Sequence, residues 1–209
     1  PIKEEYLLKS ELEPTNEWYA LAKICGIKLC QALRMQYNFD AICLMPTNLY
    51  GPGDNYHETN SHVMASFIRK FCEAKRNNLD KILCWGTGNP LREFLHVEDL
   101  AKASLFLLEY WNPSSRDAPL DDNRNPLYWI NVGTGKDLSI KDLSILIAKM
   151  VDYKGQIIWD TSKPDGSPKK LLCIEKIKNL GWEPSINLEI GISNTIKMYK
   201  KELESGSLR

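Results

Sequence analysis

Tyr19 and Lys23 are four residues apart in a stretch with no proline from Trp18 to Tyr37. Within it Ile24, Ile27, Leu29, Cys30 and Leu33 recur at helical spacing. On a helix, Tyr19 and Lys23 therefore share one face, one turn apart. A free phenol has a pKa of about 10, and a neighbouring ammonium favours the phenolate. Such a pair can pass a proton to or from a carbonyl oxygen near neutral pH. The spacing alone does not demand that chemistry, because an ordinary helix surface also carries Tyr and Lys one turn apart.

The three histidines are the other groups that titrate near neutrality. His62 follows Asn60-Ser61 at the expected start of a helix, where a lone His is commonly a cap or a surface residue. His96 lies in Phe94-Leu95-His96-Val97, which leads into a helix, and reads as structural. His57 reads as a loop residue. The six cysteines form no C-x-x-C pair, so neither zinc nor any other metal site is expected. Five of them sit in apolar stretches, as free buried thiols do, which points to a reducing, cytoplasmic setting.

The elements that must hold these residues alternate. Asp40 to Met45 is a short apolar run bounded by Pro46, and it fits a strand buried on both faces of a parallel sheet. Thr47 to Ser61 is dense in turn formers, and His62 to about Arg76 is helical. Lys81 to Trp85 reads as a strand stopped by Gly86-Thr87-Gly88. Phe94 to Val97 is extended, and Glu98 to Trp111 is a helix with acid in its first turn. A polar loop spans 112–126, and Tyr128 to Val132 is a strand turned by Gly133-Thr134-Gly135. Ser139 caps a helix that runs to Val151. Gln156 to Trp159 is a strand, and Thr161 to Lys170 is a loop. Two helices follow, near 174–179 and 188–204. Strands alternating with helices give an α/β class.

The 209 residues suffice for one good core or two small ones. Lys plus Arg equals Asp plus Glu, so no global field attracts nucleic acid or an anionic membrane. No apolar run approaches the roughly 18–20 residues that span a bilayer.

Four stretches fall in a telling order: Tyr19-Ala20-Leu21-Ala22-Lys23, Met45-Pro46-Thr47-Asn48-Leu49-Tyr50-Gly51-Pro52, Arg92-Glu93-Phe94-Leu95-His96-Val97-Glu98-Asp99 and Ile130-Asn131-Val132-Gly133-Thr134-Gly135. Their order and spacing resemble the extended short-chain dehydrogenase/reductase family. Glu13-Pro14-Thr15-Asn16-Glu17, Asn60-Ser61-His62-Val63 and Ser162-Lys163-Pro164-Asp165-Gly166 narrow the resemblance to its sugar-nucleotide epimerase/reductases.

The resemblance implies the C-terminal part of a Rossmann-type parallel sheet plus a smaller α/β substrate-binding domain. Residues 1–55 would finish the dinucleotide-binding domain, with 91–133 returning to it. Residues 56–90 and 134–209 would bind substrate. The family's glycine-rich phosphate loop, serine and cysteine are not in this sequence, and there is no initiator Met or signal-peptide character. The expectation is a C-terminal two-thirds of a longer enzyme, inactive without the rest.

The implied reaction is epimerisation at C3 and C5 of GDP-4-keto-6-deoxy-mannose, then NADPH-dependent reduction at C4 to GDP-L-fucose. Tyr19 would be the acid at the C4 oxygen, Lys23 would hold the nicotinamide ribose, and His62 would serve in epimerisation. Pro46, Thr47, Asn48, Leu49, Lys23 and His62 would border the cofactor. Lys70, Trp85, Arg92, Asp165 and Lys170 would contact the GDP-sugar, and the subunits would pair as a homodimer through the helix bearing Tyr19 and its neighbour. For Trp85 a place in the core, and for Arg92 a surface ion pair with Glu93 or Glu98, remain as alternatives. So do a related 4-epimerase or 4,6-dehydratase, and a non-catalytic chain that only binds sugar nucleotide.

Overall fold

The computed structural model describes residues 1–208. It forms two compact units. The first comprises residues 1–47, 100–135 and 172–183; the second comprises 48–99, 136–171 and 184–209. These divisions differ from the boundaries expected from sequence. Residues 48–55 and 91–99 fall in the second unit, and 134–135 and 172–183 fall in the first.

In the first unit, helix α1 (Glu17–Tyr37) carries the Tyr–Lys pair. Asn38 ends it in the left-handed conformation, with its N–H donating to the Arg34 carbonyl at 3.0 Å. Asn tolerates that conformation, so the stop is written in the sequence. Arg34 is the one fully buried side chain of α1. Its guanidinium binds Asp40, Asn112, Ser114 and the Ala41 carbonyl, which ties the helix end to the segment that leads into the following strand and to the loop at 112–114. Strand β1 (Cys43–Pro46) pairs in parallel with β5 (Trp129–Val132) from Cys43↔Trp129 to Pro46↔Val132.

The expected strand buried on both faces is not observed. Residues 40–42 lie outside β1, and Cys43, Leu44 and Met45 are only half-buried. The reason is topological: β5 is the one strand paired with β1 among the described residues. Strand β5 is buried throughout. The Trp129 indole N–H donates to the Glu4 carbonyl at 2.8 Å, and the Asn131 N–H donates to Glu4 Oε1 at 3.1 Å.

The second unit contains two sheets. Strand β4 (Leu91–His96) is central to one of them. It pairs in parallel with β2 (Asn48–Tyr50) and β8 (Lys169–Lys170), and antiparallel with β6 (Asp137–Ser139). The other sheet pairs β3 (Lys81–Trp85) in parallel with β7 (Gln156–Asp160). Strands β2 and β8 lie in stretches that read as loop, and β6 falls between the Gly133-Thr134-Gly135 turn and the Ser139 cap. Each has two or three residues, too short for an alternating pattern to register.

Helices α2 (Val63–Arg76), α4 (Ile140–Met150) and α6 (Leu188–Ser205) pack against one another in this unit. Helix α2 buries Met64, Phe67, Ile68, Phe71 and Cys72 on one stripe, the pattern of an amphipathic helix. Phe71 meets Phe67 and Tyr153 edge-on, with centroids at 5.9 and 5.7 Å. Ser139 caps α4 as expected, its hydroxyl accepting the Asp142 N–H at 2.9 Å. Helix α3 (Val97–Tyr110) opens with Asp99, which is buried and accepts from Ser185 and Ile186. Helix α5 (Glu175–Asn179) is a single short piece that belongs to the first unit, against β5.

The cysteines are all free. Cys72 and Cys84 are buried, and burial pushes each thiol up to about 11. Cys25, on an open face of α1, is exposed, so its apolar neighbours in sequence misstate its environment.

Candidate active site

Tyr19 sits in the first turns of α1 and is 67% exposed. The Lys23 ammonium lies 5.6 Å from its ring centroid, within cation–π range. Helix geometry brings the two together, and nothing covers them among the described residues of this unit. The first-unit residues of the expected cofactor border are Pro46, at the end of β1, and Thr47. The Thr47 N–H donates to the Val132 carbonyl at 3.1 Å, which prolongs the β1–β5 register by one bond.

In the second unit, Asn48 and Leu49 belong to β2. The Asn48 side-chain amide donates to the Glu93 carbonyl at 2.7 Å and fixes the start of that strand on β4. His62 occupies the N-cap position of α2 without a side-chain capping bond, and its imidazole is exposed. Asp54 lies in the preceding loop. Burial pushes its carboxyl up, while the Asn55 N–H and the nearby His62 pull it down. His96 is buried and packs edge-on to Tyr50 at 5.3 Å, and its Nδ1 accepts the Glu98 N–H. His57 closes its own loop by accepting from Thr59 and Asn60.

A cleft of about 210 Å³ opens beside α2, lined in part by Ser61, Ser66, Phe67, Lys70, Trp85 and Ile140. Lys70 rather than Arg69 faces it, because Arg69 turns inward and pairs with Glu73 at 2.8 Å. Trp85 is the last residue of β3 and is 59% exposed, so it is not a core aromatic. Two ammonium groups lie over its indole, Lys70 at 5.8 Å and Lys163 at 5.6 Å from the centroid. The Ser61 hydroxyl is buried beside the cleft with no hydrogen-bond partner among the described residues.

Arg92 is half-buried on β4. Its Nη1 donates to the Leu91 carbonyl at 2.8 Å, and burial lowers its pKa. Asp165 is not a free carboxylate. It accepts the Thr87 hydroxyl at 2.6 Å and the Thr87 N–H at 2.7 Å, and these bonds, with Arg92 nearby, hold its carboxyl below the usual range. Gly86 permits this approach: it adopts φ +78°, and a Cβ there would lie 2.3 Å from the Asp165 oxygen. Lys170 is exposed on β8, in register with Arg92. Lys163 and Thr87 were not singled out in the sequence as site residues. Lys163 could have been found as the basic residue held between the Asp160 turn and Pro164-Asp165-Gly166.

No helix among the described residues is long and apolar enough to cross a membrane. No cluster of three or more His, Cys, Asp or Glu among them could hold a metal ion.

Parallel strands linked by helices, with a Tyr–Lys pair exposed on one of those helices, define an α/β protein of Rossmann type. Residues 1–117 match the model of the NAD dependent epimerase/dehydratase family, and the chain belongs to that family. It is 48% identical over 203 residues to GDP-L-fucose synthase 1 of Arabidopsis thaliana, covering 97% of this chain and 59% of that protein. It is 47% identical over 199 residues to GDP-L-fucose synthase of Escherichia coli K12, covering 95% and 61%. A solved GDP-L-fucose synthetase from Naegleria fowleri bound to NADP superposes with a TM-score of 0.83 at 26% identity, over 99% of this chain and 63% of that one. The chain thus spans about three-fifths of the length of the curated relatives it matches.

Proposed function

We propose that the chain forms part of an NADPH-dependent enzyme that epimerises C3 and C5 of GDP-4-keto-6-deoxy-mannose and reduces C4 to give GDP-L-fucose. The observation that carries this reading is the exposed Tyr19–Lys23 pair, in a chain 47–48% identical to enzymes named for that product. Residues 1–47 with 100–135 would complete a dinucleotide-binding domain, and the second unit would bind the sugar nucleotide.

The residues present fit the nicotinamide end of such a cofactor: an exposed phenol and ammonium one helical turn apart, and a turn, Pro46-Thr47, at the carboxyl end of a parallel strand. NADPH supplies hydride to C4. Lys23 holds the ribose, and Pro46, Thr47, Asn48, Leu49 and His62 border the nicotinamide. Tyr19 donates its proton to the C4 oxygen as that oxygen gains charge. The same oxygen gathers charge in the enolate of epimerisation, so donors aimed there serve both stages. His62 exchanges a proton at C3 or C5, which the 4-ketone acidifies. Lys70, Trp85, Arg92 and Lys170 contact the nucleotide sugar, and Asp165 contributes from the loop it anchors.

The subunits pair as a homodimer. Exposed Leu29, Met35 and Tyr37 on α1, and Leu105, Leu108 and Tyr110 on α3, support that pairing.

The test is NADPH oxidation by the full-length protein on addition of GDP-4-keto-6-deoxy-mannose, with the product identified by mass and chromatography. Oxidation that yields GDP-L-fucose supports the reading. Interconversion of 4-hydroxyl epimers without net NADPH consumption would replace it with a 4-epimerase.

A further inference from the structure

We infer that Lys163 is a further cationic ligand, beside Lys70, for the diphosphate of the sugar nucleotide, delivered to Trp85 by a loop that Asp165 latches to Thr87. The inference rests on the sugar-nucleotide reading above and assigns Lys163 a binding role and Asp165 a positioning role.

The loop after β7 is pinned at two points. At its start the Asp160 carboxylate accepts the Ser162 N–H at 3.1 Å and hydroxyl at 2.6 Å, and the Lys163 N–H donates to the Asp160 carbonyl at 3.2 Å. The Asp160 carbonyl also accepts the Gly86 N–H at 2.9 Å, so the turn is attached to the end of β3. Beyond Pro164, both Asp165 oxygens are engaged by Thr87. Lys163 stands between these anchors, and its side chain reaches the indole that Lys70 reaches from α2.

Neither ammonium forms an ion pair with a carboxylate among the described residues. Lys70 donates only to the Leu83 carbonyl, at 3.3 Å. Two cations over one half-exposed indole, at the carboxyl end of a strand, form a seat for an anion with an aromatic wall, although the Asp160 carboxylate lies within electrostatic reach of Lys163 and Glu58 lines the same cleft. Indole faces attract ammonium groups weakly when exposed, so an incoming diphosphate displaces these contacts at little cost. Charge-assisted hydrogen bonds to phosphate oxygens then replace them. The Asp165 carboxylate stays ionised, with both oxygens turned to Thr87 and Arg92 nearby to offset its charge.

Calorimetric titration with GDP, inorganic pyrophosphate and guanosine tests this on the full-length protein and its Lys163→Gln, Lys163→Arg, Asp165→Ala and Asp165→Asn variants. Lys163→Gln is expected to weaken GDP and pyrophosphate by about tenfold or more, the size of one charge-assisted hydrogen bond, and to leave guanosine and NADPH unchanged. Lys163→Arg is expected to restore most of the loss. Asp165→Ala is expected to weaken GDP binding in the same direction, with Asp165→Asn, which keeps an acceptor for the Thr87 N–H, falling between. Lys163 is exposed, so its variants fold, and unchanged melting temperatures check this.

GDP affinity within twofold of wild type in Lys163→Gln, alongside a loss in Lys70→Gln, would overturn the role of Lys163 and leave the sugar-nucleotide reading standing. A wild-type protein that binds NADPH but neither GDP nor pyrophosphate would overturn both. A loss in Asp165→Ala with none in Lys163→Gln would make the latch a structural device only.

Discussion

The Lys23 ammonium lies 5.6 Å from the ring centroid of Tyr19, one helical turn away, and the phenol is largely exposed. The helix alone sets this relationship, so replacing either residue should leave the fold intact. Tyr19→Phe removes only the proton donor. In the full-length enzyme it is expected to lower reduction by ~100-fold or more, the usual contribution of general acid catalysis. The melting temperature should not change. Activity within about threefold of wild type would return Tyr19 to the role of a surface residue.

His62 stands at the start of α2 with no capping bond to lose. His62→Gln is therefore expected to preserve stability and to suppress exchange of the C3 and C5 hydrogens in deuterated water. NADPH binding should fall far less than exchange. Exchange at the wild-type rate would show that His62 carries no proton in epimerisation.

Phe71 is fully buried between Phe67 and Tyr153 in the core of the second unit. Phe71→Ala is expected to cost about 3–5 kcal/mol, combining lost transfer energy with a cavity. Urea unfolding of the variant against wild type measures this. A loss under about 1 kcal/mol would mean that the three helices collapse onto the gap.

How much of this was legible in the sequence depends on element length. The helical stretch from His62 to about Arg76 was legible, and the structure adds its inward stripe of Met64, Phe67, Ile68 and Phe71. The Ser139 cap and the Asn38 stop carry their own chemistry in the residue type. Strands β2, β6 and β8 left no trace because two or three residues cannot show alternation, and their pairing with β4 is a tertiary fact. The apolar run at 41–45 gave the existence of β1 but not its half-burial, since the hydrophobicity of a strand does not count its neighbours. At the site, the Tyr–Lys spacing was readable directly. The occupation of Asp165 by Thr87 was not, because it depends on a glycine at φ +78° in a different element.

Helices α1 and α3 each expose several large apolar side chains that a solvated helix would replace with polar ones. Leu105→Glu combined with Leu108→Glu is expected to convert a dimeric full-length protein to monomers in light scattering, without loss of helix content by circular dichroism. A variant that keeps the wild-type mass would remove α3 from the subunit interface.

Glu4 offers a prediction about pH. Its side chain is 1% exposed, Oε1 accepts the Asn131 N–H, and Oε2 has no hydrogen-bond partner among the described residues. Burial raises its pKa, outweighing the Asn131 bond and the more distant Lys176. An acid raised on folding holds its proton more tightly in the folded state, so between the unfolded and folded values the folded chain binds the extra proton. Stability from this group is greatest below the unfolded value, falls as pH rises through the folded value, and stays lower above it. Glu4→Gln keeps an acceptor for Asn131 and removes the charge. The variant should therefore gain on wild type as pH rises from 4 to 8, with the gap in unfolding free energy widening across that range. A gap of constant size, or one that narrows with pH, would mean that Glu4 is ionised and compensated in the folded chain, with Lys176 the first residue to substitute in search of the compensating charge.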